Sequence, residues 1–386
     1  MLFIGILVGL IVLVALVAVH ELGHAIVAKR NGVVVKEFGI GFPPVAKKWR
    51  PKQSFLGQNV TFSLNWLPLG GFVRLKGEYD SARGKGAYGA ASFWVKTKIL
   101  LAGVAVNWLT AAVLFSVLAV FGLPKILPNQ VTLPFDNTAV NSPVTVARVS
   151  DGSPAARVGV QVNDEILTLN DQPVQSPDQL SATTRSLAGQ TVNIELKRNG
   201  QLERVRTTIH AHDQAKNGGY LGVSPQQSSA IRATWSAPIL GVATTTQFTY
   251  ETLKGVGTLV AKGVGGFFGQ FFGSPEQKQT ARSDLAAAGN SVAGPVGILG
   301  VLFPAVVDAG LTQLILLAAI ISLTLAVMNI LPIPALDGGR WFTMAVFRLC
   351  KKPLTKSREE NIQATGFLIL MILTLVVTWN DIAKFF

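Results

Sequence analysis

Four stretches of this chain, residues 2–19, 99–124, 309–336 and 361–380, contain no charged side chain, and each ends against ionisable residues. A helix needs about 20 apolar residues to cross the hydrocarbon core of a bilayer. In all four, the apolar residues surround the helix rather than stripe one face, as contact with lipid requires. The composition agrees: 49% of residues are hydrophobic and 14% charged, against about a quarter charged in soluble domains. An ordinary soluble enzyme and a disordered chain are therefore excluded. So is a disulfide scaffold, because Cys350 has no second cysteine to pair with. The first stretch lacks the basic flank of a signal peptide and runs into His20 and Glu21 with no small-residue cleavage site, so it reads as a retained helix.

The net charge of +13 is unevenly spread. Residues 29–98 hold 13 Lys or Arg and three acids, and residues 340–360 hold six and two. Residues 129–308 hold 13 of each sign and are neutral. Basic loops stay on the cytoplasmic side of a membrane. This orients the chain with 29–98 and 340–360 in the cytoplasm, and with the middle segment and both termini outside. The basic excess is thus a mark of membrane topology, and no nucleic-acid partner is expected.

The neutral segment contains a small folded module. Residues 144–149 read as a strand, 153–159 as a short helix closed by Gly159, and 163–170 as a strand after a turn. A helix over 177–187 follows, with Ser176 as its N-cap. Strands at 191–198 and 201–211 are joined by Asn199-Gly200, a hairpin turn pair. This order resembles a bacterial, circularly permuted PDZ domain, expected over 144–212. On the other side of the second span, residues 59–66 alternate apolar and polar. Leu69-Gly-Gly71 then turns the chain into Phe72-Val-Arg-Leu-Lys76, a hairpin signature. Residues 81–92, rich in Gly, Ala, Ser and Lys, read as a linker. The aromatic pairs of Gly265-Gly-Phe-Phe-Gly-Gln-Phe-Phe-Gly273 suit either the membrane interface or packing against the helices.

His20-Glu-Leu-Gly-His24 carries the chemistry. Residues i and i+4 share one helix face, so the two imidazoles can hold one Zn²⁺, which prefers nitrogen ligands in a tetrahedral shell. Glu21, one position on, reaches the water in the fourth position. Zinc lowers the pKa of that water from 15.7 toward about 7. At 1.5 Å per residue, His20 and His24 lie roughly 13 Å and 7 Å inside the basic boundary at Lys29, and ionisable groups at such depth are usually functional. A third ligand is needed, and Asp337 is the outstanding candidate. It follows Asn329-Ile-Leu-Pro-Ile-Pro-Ala-Leu336 and precedes Gly338-Gly339, where two prolines and two glycines break the helix. Broken backbone at membrane depth must line protein or a water-filled cavity. The bland alternative for Asp337 is a helix cap near the interface. His210 and His212 alternate on a strand of the neutral segment and read as ordinary polar residues.

Taken together, His20-Glu21-x-x-His24, Asn329-x-x-Pro-x-Pro-x-Leu-Asp337-Gly-Gly, Gly70-Gly-Phe-Val-Arg-Leu75 and Ala293-Gly-Pro-Val-Gly-Ile298 resemble the site-2 protease family of intramembrane zinc metalloproteases. The match is to the bacterial RseP-like type with one PDZ domain. The resemblance implies four transmembrane helices, a membrane-associated β-hairpin and an inserted α/β PDZ-like domain. Its segments are a first helix with HExxH over 1–28, a cytosolic-side loop with a re-entrant hairpin over 29–94, and a second helix over 95–124. After the PDZ-like domain come an interfacial or linker region over 213–308, a third helix with the LDGG motif over 309–339 and a fourth over 361–381. The resemblance makes His20, His24 and Asp337 ligands of Zn²⁺ and Glu21 the catalytic acid/base. Asn329, Asn107, Phe72, Val73 and Arg74 would hold substrate in extended form. It implies cleavage, by zinc-bound water, of single-span membrane proteins such as anti-sigma factors or remnant signal peptides, after an upstream site-1 protease has trimmed them. The setting implied is a bacterial inner membrane, with the active site near the cytoplasmic face. Val104 stands where the family commonly has Pro before the Asn, and there is one PDZ-like module where some relatives have two. A metal transporter and an inactive PDZ-bearing scaffold are the competing classes.

Overall fold

The computed structural model describes residues 2–385 except 128, 134, 137, 216–218 and 273–293. In chain order its elements are α1 (Leu2–Arg30), β1 (Val35–Trp49), β2 (Gln53–Ser54), β3 (Gly57–Gln58), β4 (Thr61–Leu75), α2 (Phe93–Phe121), β5 (Leu123–Pro124), β6 (Thr138–Asn141), β7 (Val144–Val149), α3 (Pro154–Arg157), β8 (Glu165–Leu169), β9 (Gln172–Pro173), α4 (Pro177–Ser186), β10 (Thr191–Arg198), β11 (Gln201–Thr208), β12 (Val223–Gln226), β13 (Ser229–Arg232) and α5 (Ala237–Phe272). Then follow α6 (Pro295–Ala309), α7 (Leu311–Ile330), α8 (Asp337–Leu349) and α9 (Lys356–Phe385). They form two compact units, one of Met1–Phe121 with Trp235–Phe386 and one of Gly122–Thr234.

The first unit holds the membrane helices. Among the described residues α1, α2, α7 and α9 are long and apolar enough to cross a bilayer. The outward faces of α1 and α9 are rich in exposed aliphatic and aromatic side chains, among them Leu7, Ile11, Leu368 and Leu375, which only lipid can cover at low cost. Small residues let the helices approach closely. A Cβ on Gly9 would press into the ring of the fully buried Phe303, and one on Gly5 would meet Pro304. Thus α6 lies directly on α1.

The antiparallel pair β1–β4 packs on the C-terminal half of α1. Both ends of β4 flank the same strand. Phe38 faces Phe62 on one side and Val73 on the other, and Gly39 faces Ser63 and Phe72. The hairpin expected between 59–66 and 72–76 therefore has β1 between its arms. That central strand escaped the sequence because Gly39, Gly41 and Pro43-Pro44 read as breakers. The third apolar stretch is likewise split. Its helix stops at Ile330, the chain turns through Leu331–Leu336, and a new helix starts at Asp337. Within 213–308, expected as interfacial linker, α5 runs for 36 residues and packs on α2. The aromatic segment 265–273 is helical up to Phe272, and Gly273, like Ala293, lies outside the described residues.

The second unit is a sheet in the order β11-β10-β8-β7-β12 with β9 beside β8, plus a smaller sheet β5-β13-β6. Its core gathers Val144, Val146, Ile166, Leu169, Leu180, Val192, Ile194 and Leu196. Ser153 and Ser176 cap α3 and α4, accepting from the Ala156 and Gln179 amides. Asn199 and Gly200, both at positive φ, close the β10–β11 hairpin. The chain thus carries an inserted α/β PDZ-like domain within a helical membrane protein.

Candidate metal centre

His20 and His24 lie on the inward face of α1, and both are at least 92% buried. Asp337 reaches them from the first residue of α8, 317 positions away in sequence. The turn before it is tight. Leu331 leaves the helix with extended backbone, and Ala335 takes a positive φ of 79°. A Cβ at Gly338 would overlap the Ile330 carbonyl, and one at Gly339 the Ile333 carbonyl. The two glycines are what lets the chain double back and aim Asp337 at α1.

The result is a convergent trio. Asp337 Oδ2 lies 3.1 Å from His20 Nε2 and 3.1 Å from His24 Nε2, and the two Nε2 atoms are 3.2 Å apart. Zinc with bonds of about 2.0–2.1 Å in a tetrahedral shell holds its ligands roughly 3.3 Å apart. Donor type and spacing therefore both fit Zn²⁺. The trio is the sole group among the described residues whose His, Cys, Asp or Glu ligand atoms converge in this way.

Groups outside the trio set its orientation. His24 Nδ1–H donates to the Ile99 carbonyl at 2.7 Å, which leaves the Nε2 lone pair free for a metal. His20 Nδ1 lies 3.3 Å from the side-chain amide of Asn107, a fully buried residue whose Oδ1 has no other partner. With the amide turned so that Oδ1 accepts from Nδ1–H, both needs are met, and Nε2 of His20 is likewise free. Ser322 Oγ–H on α7 donates to the Asn107 carbonyl at 2.9 Å. Gly103, one turn before Asn107, gives the imidazoles room. A Cβ there would overlap His24 Nε2 and press on His20. Sequence reading missed this residue; its signal was a glycine in mid-helix, where close packing is the usual reason.

Glu21 stands outside the trio on the same turn of α1. Gly71 of β4 packs against its side chain. The strand edge Phe72-Val73-Arg74 is therefore beside Glu21. On its other side this segment pairs with Gly39, Phe38 and Glu37 of β1. Arg74 also binds the buried Glu37 at 3.0 Å, and Lys48 binds it at 3.2 Å. Asn329 is half-buried, donates to the Leu325 carbonyl within α7, and is not in the trio. His210 and His212 belong to the other unit, where His212 bonds the Tyr220 hydroxyl. A cavity of about 450 Å³ opens beside Asp337, lined by Glu78, Tyr79, Arg340, Glu359 and Gln363 among others. Arg340 pairs with the buried Glu359 at 3.0 Å, and Glu359 also accepts from the Asp80 amide. These bonds lock α8 to α9 and to the 76–92 loop.

Comparisons with known proteins agree with this geometry. Residues 8–373 match peptidase family M50. Zinc metalloprotease RasP of Geobacillus kaustophilus is 27% identical over 98% of this chain and 97% of its own. The regulator of sigma-W protease RasP of Bacillus subtilis is 24% identical, covering 98% of each. The PDZ domain of an SdrC-like protein from Listeria monocytogenes matches 25% of this chain and 93% of its own at 23% identity, but with a TM-score of 0.19. That likeness carries no weight beside the unit's own strand order. With a match spanning nearly its whole length, this chain belongs to peptidase family M50, the site-2 proteases, and is an intramembrane zinc metalloprotease with one PDZ-like domain.

Proposed function

We propose that the enzyme cleaves the membrane-spanning segment of single-span proteins. The observation that supports this most is position: His20, Glu21 and His24 lie within the long apolar helix α1, so a scissile bond must enter the membrane region to reach them. His20, His24 and Asp337 hold the zinc, which when bound polarises a carbonyl and lowers the pKa of water toward about 7. Glu21 takes a proton from the attacking water and returns it to the leaving amine. Asn107 keeps His20 in the tautomer that presents Nε2. The substrate helix unwinds and lies along Phe72-Val73-Arg74 by strand addition, with Asn329 helping to hold it extended. Strand β4 joins the two tasks, since its Gly71 packs against Glu21 while its edge guides the chain.

The basic excess of segments 29–98 and 340–360 supports a catalytic end on the cytoplasmic side of a bacterial inner membrane, with the PDZ-like unit outside. There the PDZ-like unit screens substrates already trimmed by an upstream protease. A relative's name, regulator of sigma-W protease, supports anti-sigma proteins as one substrate class.

The test is Glu21→Gln in the full-length protein, reconstituted in nanodiscs with a single-span reporter. Cleavage should fall by about 10²–10⁴-fold while bound zinc, measured by metal analysis, is unchanged. Undiminished cleavage would remove Glu21 from the mechanism.

A further inference from the structure

A second cavity of about 450 Å³ lies away from the trio, where the start of α2, the end of α8 and the start of α9 meet. Five cationic side chains line it: Arg83, Lys96, Arg348, Lys352 and Lys356. Asp80 is its one carboxylate, and Lys96 already holds it at 2.5 Å. Among the described residues Arg83 donates only to the Asp80 and Ala82 carbonyls. Arg348 lies 5.1 Å over the Phe93 ring and, among the described residues, pairs with no carboxylate. The first residues of two long helices, Phe93 of α2 and Lys356 of α9, also border the cavity, and a helix N-terminus favours an anion. Lys356 pairs with Glu360 on its own helix at 3.7 Å, so among the described residues Arg83, Arg348 and Lys352 are three unneutralised cations around one hollow, and they call for a bound negative group.

The floor and surroundings say which anion. Phe93, Phe347 and Leu354 give the cavity an apolar side. The adjoining Trp94 and Leu349 are 72% and 82% exposed. An exposed Trp beside cations marks the headgroup level of a membrane, and apolar residues there meet acyl chains. We propose that this cavity binds the phosphate of an anionic phospholipid headgroup, with the acyl chains against Trp94 and Leu349. A lipid seated there would tie the 76–92 loop to α2, α8 and α9. The phosphate chemistry is shared with soluble phosphate esters; the exposed apolar rim favours the lipid.

The test uses full-length protein in nanodiscs of phosphatidylethanolamine with a minor fraction of phosphatidylglycerol, released and weighed by native mass spectrometry. Wild type should retain one phosphatidylglycerol. Each basic residue at a membrane surface contributes about 1 kcal/mol, roughly fivefold, so Arg348→Gln with Lys352→Gln should weaken retention by about tenfold or more. Arg83→Gln alone, on a loop and thus safe for folding, should weaken it severalfold. Lys36→Gln with Lys52→Gln removes equal charge from exposed positions elsewhere and should leave retention unchanged. Equal loss in that control would reduce the effect to diffuse attraction and overturn the site. So would undiminished retention in both cavity variants. Glycerol 3-phosphate binding as tightly as the lipid would overturn the lipid as its source.

Discussion

Two carboxylates, one in each unit, are handled in opposite ways. Asp164 of the PDZ-like unit is 1% exposed, and Arg198 grips it through Nε and a terminal nitrogen at 2.8 and 2.6 Å. The Gln161 amide adds a third bond. Its charge is closed within the chain. Asp337 faces two imidazoles and no permanent cation. Its charge is complete only when something from outside the chain joins it. A carboxylate matched by a guanidinium holds a fold together, whereas one flanked only by imidazole nitrogens offers a ligand set for a metal.

The largest effect that would break this contrast is at Asp337. Asp337→Asn keeps the shape and removes the charge; zinc content should fall to background and cleavage by at least about a hundredfold. Metal analysis after gel filtration checks it, and a variant that still holds one zinc would mean the trio is not the ligand set. Gly103→Ala should do nearly as much, because the added methyl occupies the space of both imidazoles. Its helix content should be unchanged by circular dichroism. Asn107→Ala should be milder. The zinc ligands survive, but His20 loses its orienting partner, so zinc affinity in chelator competition should drop about 10–100-fold.

The smallest effect lies on the other side of the comparison. Burial alone would raise the carboxyl pKa of Asp164, but the bonds from Arg198 and Gln161 outweigh it and hold it below the ordinary carboxylate value. A lowered native pKa means that the unfolded unit binds more protons in acid. The stabilisation is complete above the ordinary value of about 3.9 and fades as pH falls through the lowered one. Asp164→Asn should therefore speed amide exchange in β8 and β10 at pH 7 in the full-length protein, with little further change in acid. Zinc content should not move.

Much of the architecture was readable from pattern alone. The uncharged stretches announced the membrane helices, and Asn199-Gly200 announced its hairpin, because each rests on a local rule. The trio was half legible. His20 and His24 are a fixed helical spacing, and Asp337 could be named because charge is rare at such depth. What stayed hidden was supplied by distant packing. Gly103 matters only because α2 lies against the rings, and β1 forms despite its glycines and prolines because β4 flanks it on both sides. Helix α5 was concealed by its threonines; Thr245, Thr246 and Thr249 look polar in sequence, yet each hydroxyl turns back to a carbonyl four residues earlier.

The wide separation of Asp337 from the two histidines has a consequence during synthesis. A chain grown as far as Leu336 already carries both imidazoles and Glu21, but not Asp337, the carboxylate that converges on them among the described residues. Any protease assembled from neighbouring residues would be armed while still attached to the ribosome, among other newly inserted membrane proteins. On the proposed ligand set Asp337 arrives 313 residues after His24, so the metal shell closes only after the helices have been threaded and packed.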